Sequence, residues 1–153
     1  MKLSTHEDIA APIDAVFAEL TDFDGFERAA LRRGAEVVRT DGKGSVGVGM
    51  TWRAQFPFRN RERVADLKLV EFDRPNGMKV HSRVSGVEAE IVVDLVALSR
   101  SHTRMAMSVD MRPKSIPARL MIQSMKLAKT NLTRRFQKRV SDYAAMIEDR
   151  HSA

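Results

Sequence analysis

The sequence predicts an α+β fold: a curved antiparallel sheet of six to seven strands wrapped around a long C-terminal helix, with two short helices after the first strand. Three observations lead there. Apolar residues recur at helical spacing just after the first strand-like run and again over residues 115–150, whereas residues 35–112 alternate with period two. The links between alternating runs are short and rich in glycine, proline, asparagine and serine, which suits hairpins and leaves no room for the crossovers that parallel strands require. A chain of 153 residues is the size of one domain with a substantial core, so residues 1–153 are read as a single domain.

Each element has its own signal. Residues 3–9 alternate as a first strand, and Pro12 follows where a helix can begin, since the N–H it lacks would have no helical partner there. Val16, Phe17 and Leu20 make the apolar stripe of a first helix. A second helix over residues 23–33 carries Phe26, Ala30 and Leu31 and stops at Gly34. Strands are then predicted over 36–40, 46–56, 61–72, 78–84, 87–98 and 103–112. They are separated by Asp41-Gly42, the Pro57 region, Arg74-Pro75-Asn76-Gly77, Ser85-Gly86 and Ser99-Arg100-Ser101-His102. The last helix spans 115–150 without a glycine, and Pro117 is tolerable in its first turn.

Alternation also predicts which side chains face inward. On the 46–56 strand they are Val46, Val48, Met50, Trp52, Ala54 and Phe56. On 87–98 they are Ala89, Ile91, Val93 and Leu95, and on 103–112 they are Met105, Met107, Val109 and Met111. One arc of the terminal helix holds Met125, Leu132, Phe136, Val140, Tyr143 and Ile147, together with Lys129. The residues expected to line a ligand cavity are therefore Met50, Trp52, Ile91, Val93, Met105, Met107, Val109, Lys129, Leu132 and Phe136. A methionine-rich wall repacks easily around different ligands, but the same methionines can simply fill a core. Lys129 could anchor an acidic ligand, pair with a strand carboxylate, or extend its stem outward to water.

Charge and composition narrow the function. The net charge is +6, and residues 113–139 hold eight basic side chains and no acid. With Ile116, Leu120 and Leu127 on the side opposite the inward stripe, the start of the terminal helix is apolar on two faces. A loop over a cavity mouth, a homodimer contact, or shallow insertion into an anionic membrane beside Lys126, Arg134, Arg135 and Lys138 would each cover that second face. There is no cysteine, which excludes thiolate catalysis and disulfide or iron–sulfur chemistry, and the four histidines do not pair at metal-ligand spacing. No metal or cofactor is expected. No apolar run is long enough to span a bilayer, and residues 1–8 lack a secretory apolar core, so the cytoplasm is the expected location, with a peripheral membrane position as the alternative.

Three further motifs carry little chemistry. Gly42-Lys43-Gly44-Ser45-Val46-Gly47 matches G-x-G-x-x-G, but a strand rather than a helix is predicted after it, so it reads as a hairpin loop. His81, the best acid–base candidate with nearby acids such as Asp66, Glu88 or Glu90, alternates outward with Lys79 and Arg83, so acting on an internal substrate would need a bulge or register shift. The Arg59-Asn60-Arg61-Glu62-Arg63 cluster has only Phe56 and Phe58 nearby for base stacking, which argues for a solvated hairpin edge over a nucleic-acid site.

The run Ile9-x-x-Pro12-x-x-x-Val16-Phe17-x-x-Leu20-x-Asp22-Phe23, in an element order β-αα-β×6-α, resembles the START-like (SRPBCC) superfamily of helix-grip proteins. That group includes polyketide cyclases and dehydrases, lipid-transfer domains and the birch-pollen-allergen proteins, and some members have a glycine-rich loop at a similar position. The resemblance implies an internal cavity between sheet and C-terminal helix that holds a small hydrophobic ligand such as a lipid, quinone or polyketide-like molecule. It also allows a cyclase or dehydratase, for which no catalytic residue is assigned. A membrane-surface or protein-interaction module using the basic helix is the third class.

Overall fold

The computed structural model describes residues 1–42 and 44–152. Its elements are β1 (Lys2–Ile9), α1 (Ile13–Leu20), α2 (Phe23–Arg32), β2 (Glu36–Arg39), β3 (Thr51–Phe58), β4 (Arg61–Asp73), β5 (Gly77–Val84), β6 (Val87–Ser99), β7 (His102–Pro113), α3 (Ile116–Leu127) and α4 (Lys129–His151). The seven strands form one antiparallel sheet in the order β1-β7-β6-β5-β4-β3-β2, so the first strand closes against the last. This is the expected α+β helix-grip architecture.

Local chemistry explains the boundaries. Pro12 stands just before α1 with extended backbone, and the Asp22 side chain accepts from the Gly25 N–H to cap α2. Ser115 caps α3 by accepting from the Ala118 N–H at 3.2 Å, with Pro117 in the first turn. Two hairpins have two-residue turns with positive φ at both centres, Arg59-Asn60 and Ser85-Gly86, the geometry that matches strand twist.

A bulge between Leu69 and Glu71 sets the faces of β4. Strict alternation would put Glu71 on the same side as Leu67 and Leu69. The extra residue instead leaves Glu71 opposite Lys79, 3.4 Å away on the outer face, and turns Phe72 inward beside Met78. Phe72 then meets Phe17 of α1 edge to face, with ring centroids 5.3 Å apart.

The inner face is covered at its two ends. At one end Ile9, Val93, Leu95 and Met105 pack with Val16, Phe17 and Leu20 of α1 and with Val140, Ala144 and Ile147 of α4. Polar ties hold this end: the buried Thr103 hydroxyl donates to the Ala11 carbonyl at 2.8 Å, and Glu19 pairs with Arg150 at 2.8 Å. At the other end Ala118 and Ile122 of α3 pack on Val87, with Met111 and Met125 alongside. Met50, Trp52 and Leu69 form a third cluster under Phe23 of α2.

Two expectations are corrected. The terminal helix is not continuous: it breaks at Ala128, whose φ of −103° and ψ of 18° are not helical, and continues as α4. α3 packs on β7 and α4 on β1, and one straight helix cannot follow both. The strand predicted to begin at residue 46 begins at Thr51. Val46 and Val48 are exposed in an irregular segment, where Gly49 at φ 99° breaks the alternation. Lys43 of the glycine-rich motif lies outside the described residues.

Candidate functional site

The helix break shapes the space over the sheet. The C-terminal half of α4 is seated on the sheet through Val140, Ala144 and Ile147, but residues 129–139 include no buried side chain, and only Leu132, Thr133 and Phe136 are half-buried. Beneath, the inner face presents Leu67, Val80, Ser82, Ala89, Ile91, Val109 and Met111, all half-buried, with Leu67 and Val80 bordering the Met50–Trp52–Leu69 cluster and Met111 the α3 end. The register puts Val80 opposite Ile91, and Ile91 opposite Val109, so these three form one row across β5, β6 and β7. An apolar strip thus runs across the centre of the sheet without the complete cover that its neighbours Leu69, Val93 and Met105 receive.

The residues expected to line a cavity separate into three groups. Ile91, Met107, Val109, Leu132 and Phe136 are half-buried, with Ile91 and Val109 in the strip and Met107 and Phe136 packed against the edge of the α1–α4 core. Val93 and Met105 are sealed within that core, Met105 with no exposed surface, and Met50 and Trp52 are buried in the third cluster. Lys129 is exposed at the first position of α4. The arc that grouped it with Leu132 and Phe136 assumes one continuous helix, and the break at Ala128 places it at the junction instead. Leu67 and Val80 belong to the strip and were not among the expected lining, although alternation along β4 and β5 marks both as inward.

Aromatic and polar groups surround the α1 end. Phe23 lies 5.1 Å from Trp52, Phe26 lies 5.8 Å from Tyr143, and the Arg74 guanidinium sits 5.1 Å and 5.5 Å from the rings of Phe17 and Phe72. The Tyr143 hydroxyl is buried with no hydrogen-bond partner among the described residues. Burial, and then the nearby Glu19 carboxylate, push its pKa well above the ordinary tyrosine value.

The outer face of the sheet is charged and self-paired. Arg53, Asp66, Arg83, Glu88 and Arg112 stand opposite one another across β3 to β7, with Arg53–Asp66 at 3.3 Å and Arg83–Glu88 at 3.1 Å. His81 is on this face, exposed and 3.3 Å from Glu90, as its alternation predicts. A groove of about 630 Å³ is lined by Asp66, His81, Arg83, Glu88, Glu90 and Arg112 and also by Trp52, Leu67, Ser82 and Ala89, and a second of about 300 Å³ lies by Lys2, His6 and Asp94. Among the described residues no group of three His, Asp or Glu side chains is arranged to hold a metal, and no helix is long and apolar enough to cross a membrane.

An open seven-stranded antiparallel sheet gripping a C-terminal helical segment, with two short helices after the first strand, defines the class: the chain has the START-like (SRPBCC) helix-grip fold. Solved structures share it over nearly the whole chain. A protein from Thermus thermophilus matches with a TM-score of 0.67 at 11% identity, covering 96% of this chain and 97% of that one. The Zhui aromatase/cyclase of a Streptomyces species matches with a TM-score of 0.66 at 13% identity, covering 95% and 93%. A START superfamily protein from Mycobacterium smegmatis matches with a TM-score of 0.61 at 12% identity, covering 93% and 98%. No family model matches the chain, and no curated protein matches it in sequence.

Proposed function

We propose that this chain binds a small hydrophobic molecule, of the lipid, quinone or polyketide-like kind, between the inner face of its sheet and the C-terminal helices. The observation that carries the reading is the half-buried apolar strip centred on Ile91 and Val109, which belong to none of the packed clusters, with Leu67, Val80 and Met111 at its margins against the neighbouring ones. Apolar surface of this kind gains from any occupant that removes it from water, at about 25 cal/mol for each Å² covered. The fold shared with a START superfamily protein and an aromatase/cyclase supports a ligand at this place. The His81–Glu90 pair lies on the opposite face, so binding rather than acid–base turnover is the function the strip favours.

Trp52, the single tryptophan, provides the assay. A dansyl-labelled fatty acid titrated into the protein should quench Trp52 emission saturably by energy transfer. Filling the strip with Ile91→Phe and Val109→Phe should weaken binding by at least about tenfold while the melting transition stays cooperative. Unsaturable transfer, or equal binding by the filled variants, would rule the strip out as the site.

A further inference from the structure

Among the described residues nothing covers the side of α3 turned away from the sheet, and its composition is specific. Ala118 and Ile122 are its buried residues, whereas Ile116, Leu120 and Leu127 are 74%, 62% and 92% exposed. On a 3.6-residue wheel those three fall within an arc of about 40°. Arg119 and Lys126 flank the stripe on one side, and Lys129 follows at the helix junction. All three are exposed and have no acidic partner among the described residues.

The β3–β4 hairpin extends the same surface. Arg59 at its tip lies 3.4 Å from the Ser124 hydroxyl of α3, and its guanidinium sits 5.6 Å from the ring of Phe58, itself 40% exposed. Arg59 holds φ 51°, a left-handed conformation that favours glycine or asparagine, so an arginine is kept at the tip against its backbone preference. Arg61 is also exposed and has no acidic partner among the described residues. Of the neighbouring cations, Lys114 pairs with Glu88 at 3.8 Å and Lys138 with Asp142 at 3.1 Å, while Arg134, Arg135 and Arg139 are exposed on α4 with no acidic partner among the described residues.

We propose that α3 and the β3–β4 hairpin dock the protein on an anionic membrane, with Ile116, Leu120, Leu127 and Phe58 entering the interface and Arg59, Arg61, Arg119, Lys126 and Lys129 meeting the lipid headgroups. Charge complementarity selects this occupant. A second copy of the chain would bring the same unpaired cations face to face, and an apolar protein partner would leave five cations without counter-charge. A membrane satisfies both halves of the surface, its anionic headgroups taking the cations and the acyl boundary taking the aliphatic stripe. The docking surface is separate from the ligand strip, and either can fail without the other.

The test is co-sedimentation with vesicles of phosphatidylcholine alone and of phosphatidylcholine containing one third phosphatidylglycerol. The wild-type chain should pellet with the anionic vesicles at low salt, not with the neutral ones, and should be released as salt is raised. Leu120→Ser with Leu127→Ser, and separately Arg119→Glu with Lys126→Glu, should each weaken binding by roughly tenfold or more. Both pairs are exposed, and unchanged circular dichroism and retained dansyl fatty acid binding confirm that the fold and the ligand strip are intact. Failure of the wild type to pellet at low salt, or full binding by either double variant, would overturn the proposal. So would a dimer that the leucine variants dissociate without any vesicle binding.

Discussion

Replacing Tyr143 with phenylalanine removes one oxygen atom that is buried and makes no hydrogen bond among the described residues. In the unfolded chain that hydroxyl is hydrated, and leaving it unpaired on folding costs about 1–3 kcal/mol. The residue is half-buried and deletion leaves a small gap, so the expected gain for Tyr143→Phe is near the low end, about 1 kcal/mol, or roughly 3 °C in melting temperature for a domain of this size. The pH dependence adds an independent readout. The raised pKa means the unfolded tyrosine loses its proton above the ordinary value of 10.0 while the folded one keeps it. The unfolded state then binds fewer protons, so this contribution to stability is complete below pH 10 and is lost as pH rises, at up to about 1.4 kcal/mol per pH unit. Tyr143 is the only tyrosine, so its ultraviolet titration is unambiguous. Urea melts of ligand-free wild type and Tyr143→Phe from neutral pH to above pH 10 should diverge as alkalinity rises, with the variant the more stable. A variant less stable than wild type at neutral pH, or a hydroxyl that titrates at its ordinary value in the folded protein, would refute the reasoning.

Further substitutions test separate parts of the structure. Met105→Ala should cost about 2–5 kcal/mol in urea melts, because the side chain is wholly enclosed, whereas Met107→Ala at the half-buried margin should cost less than half as much. Gly86→Ala should destabilise by about 1–3 kcal/mol: its φ is 75°, and an added Cβ would lie 2.6 Å from the Ser115 hydroxyl that caps α3. Asp8 has its pKa lowered, first by the Arg104 hydrogen bond, so whatever this exposed pair contributes is present above the unfolded value of 3.8 and lost as pH falls through the lower folded value. Asp8→Asn should lower stability slightly at neutral pH, leave strongly acidic pH unchanged, and so flatten the acid limb of a stability–pH curve. Lys129→Met should bind acidic and neutral fatty-acid probes as the wild type does, since the lysine is exposed at the helix junction; selective loss of the acidic probe would return it to the site.

Much of this arrangement is legible in the residues because period-two alternation is a local property. The inward positions of β6 and β7, from Ala89 to Leu95 and from Met105 to Met111, follow from it directly, as does the outward His81. Tertiary packing decides what alternation cannot. Val93 and Ile91 share one face and one chemistry, yet Val93 meets the α1–α4 core and Ile91 does not, so only the three-dimensional placement of the helices separates core from strip. The break at Ala128 has no glycine or proline to announce it, because Lys126 to Lys129 suit a helix and the two halves diverge to follow β7 and β1. Val46 and Val48 alternate as a strand would, but closely spaced glycines free the backbone there. The unpaired Tyr143 hydroxyl carries no sequence signal, since its partners or their absence depend on α1 and α2 packing around it.

Native mass spectrometry of the protein purified from its own host, followed by organic extraction, tests the central claim most directly. Ligand binding over the apolar strip predicts one equivalent of a retained hydrophobic compound in the wild type that is reduced or missing in Ile91→Phe and Val109→Phe. Protein that is empty as isolated and also fails to take up the dansyl fatty acid or a naphthoquinone would contradict it.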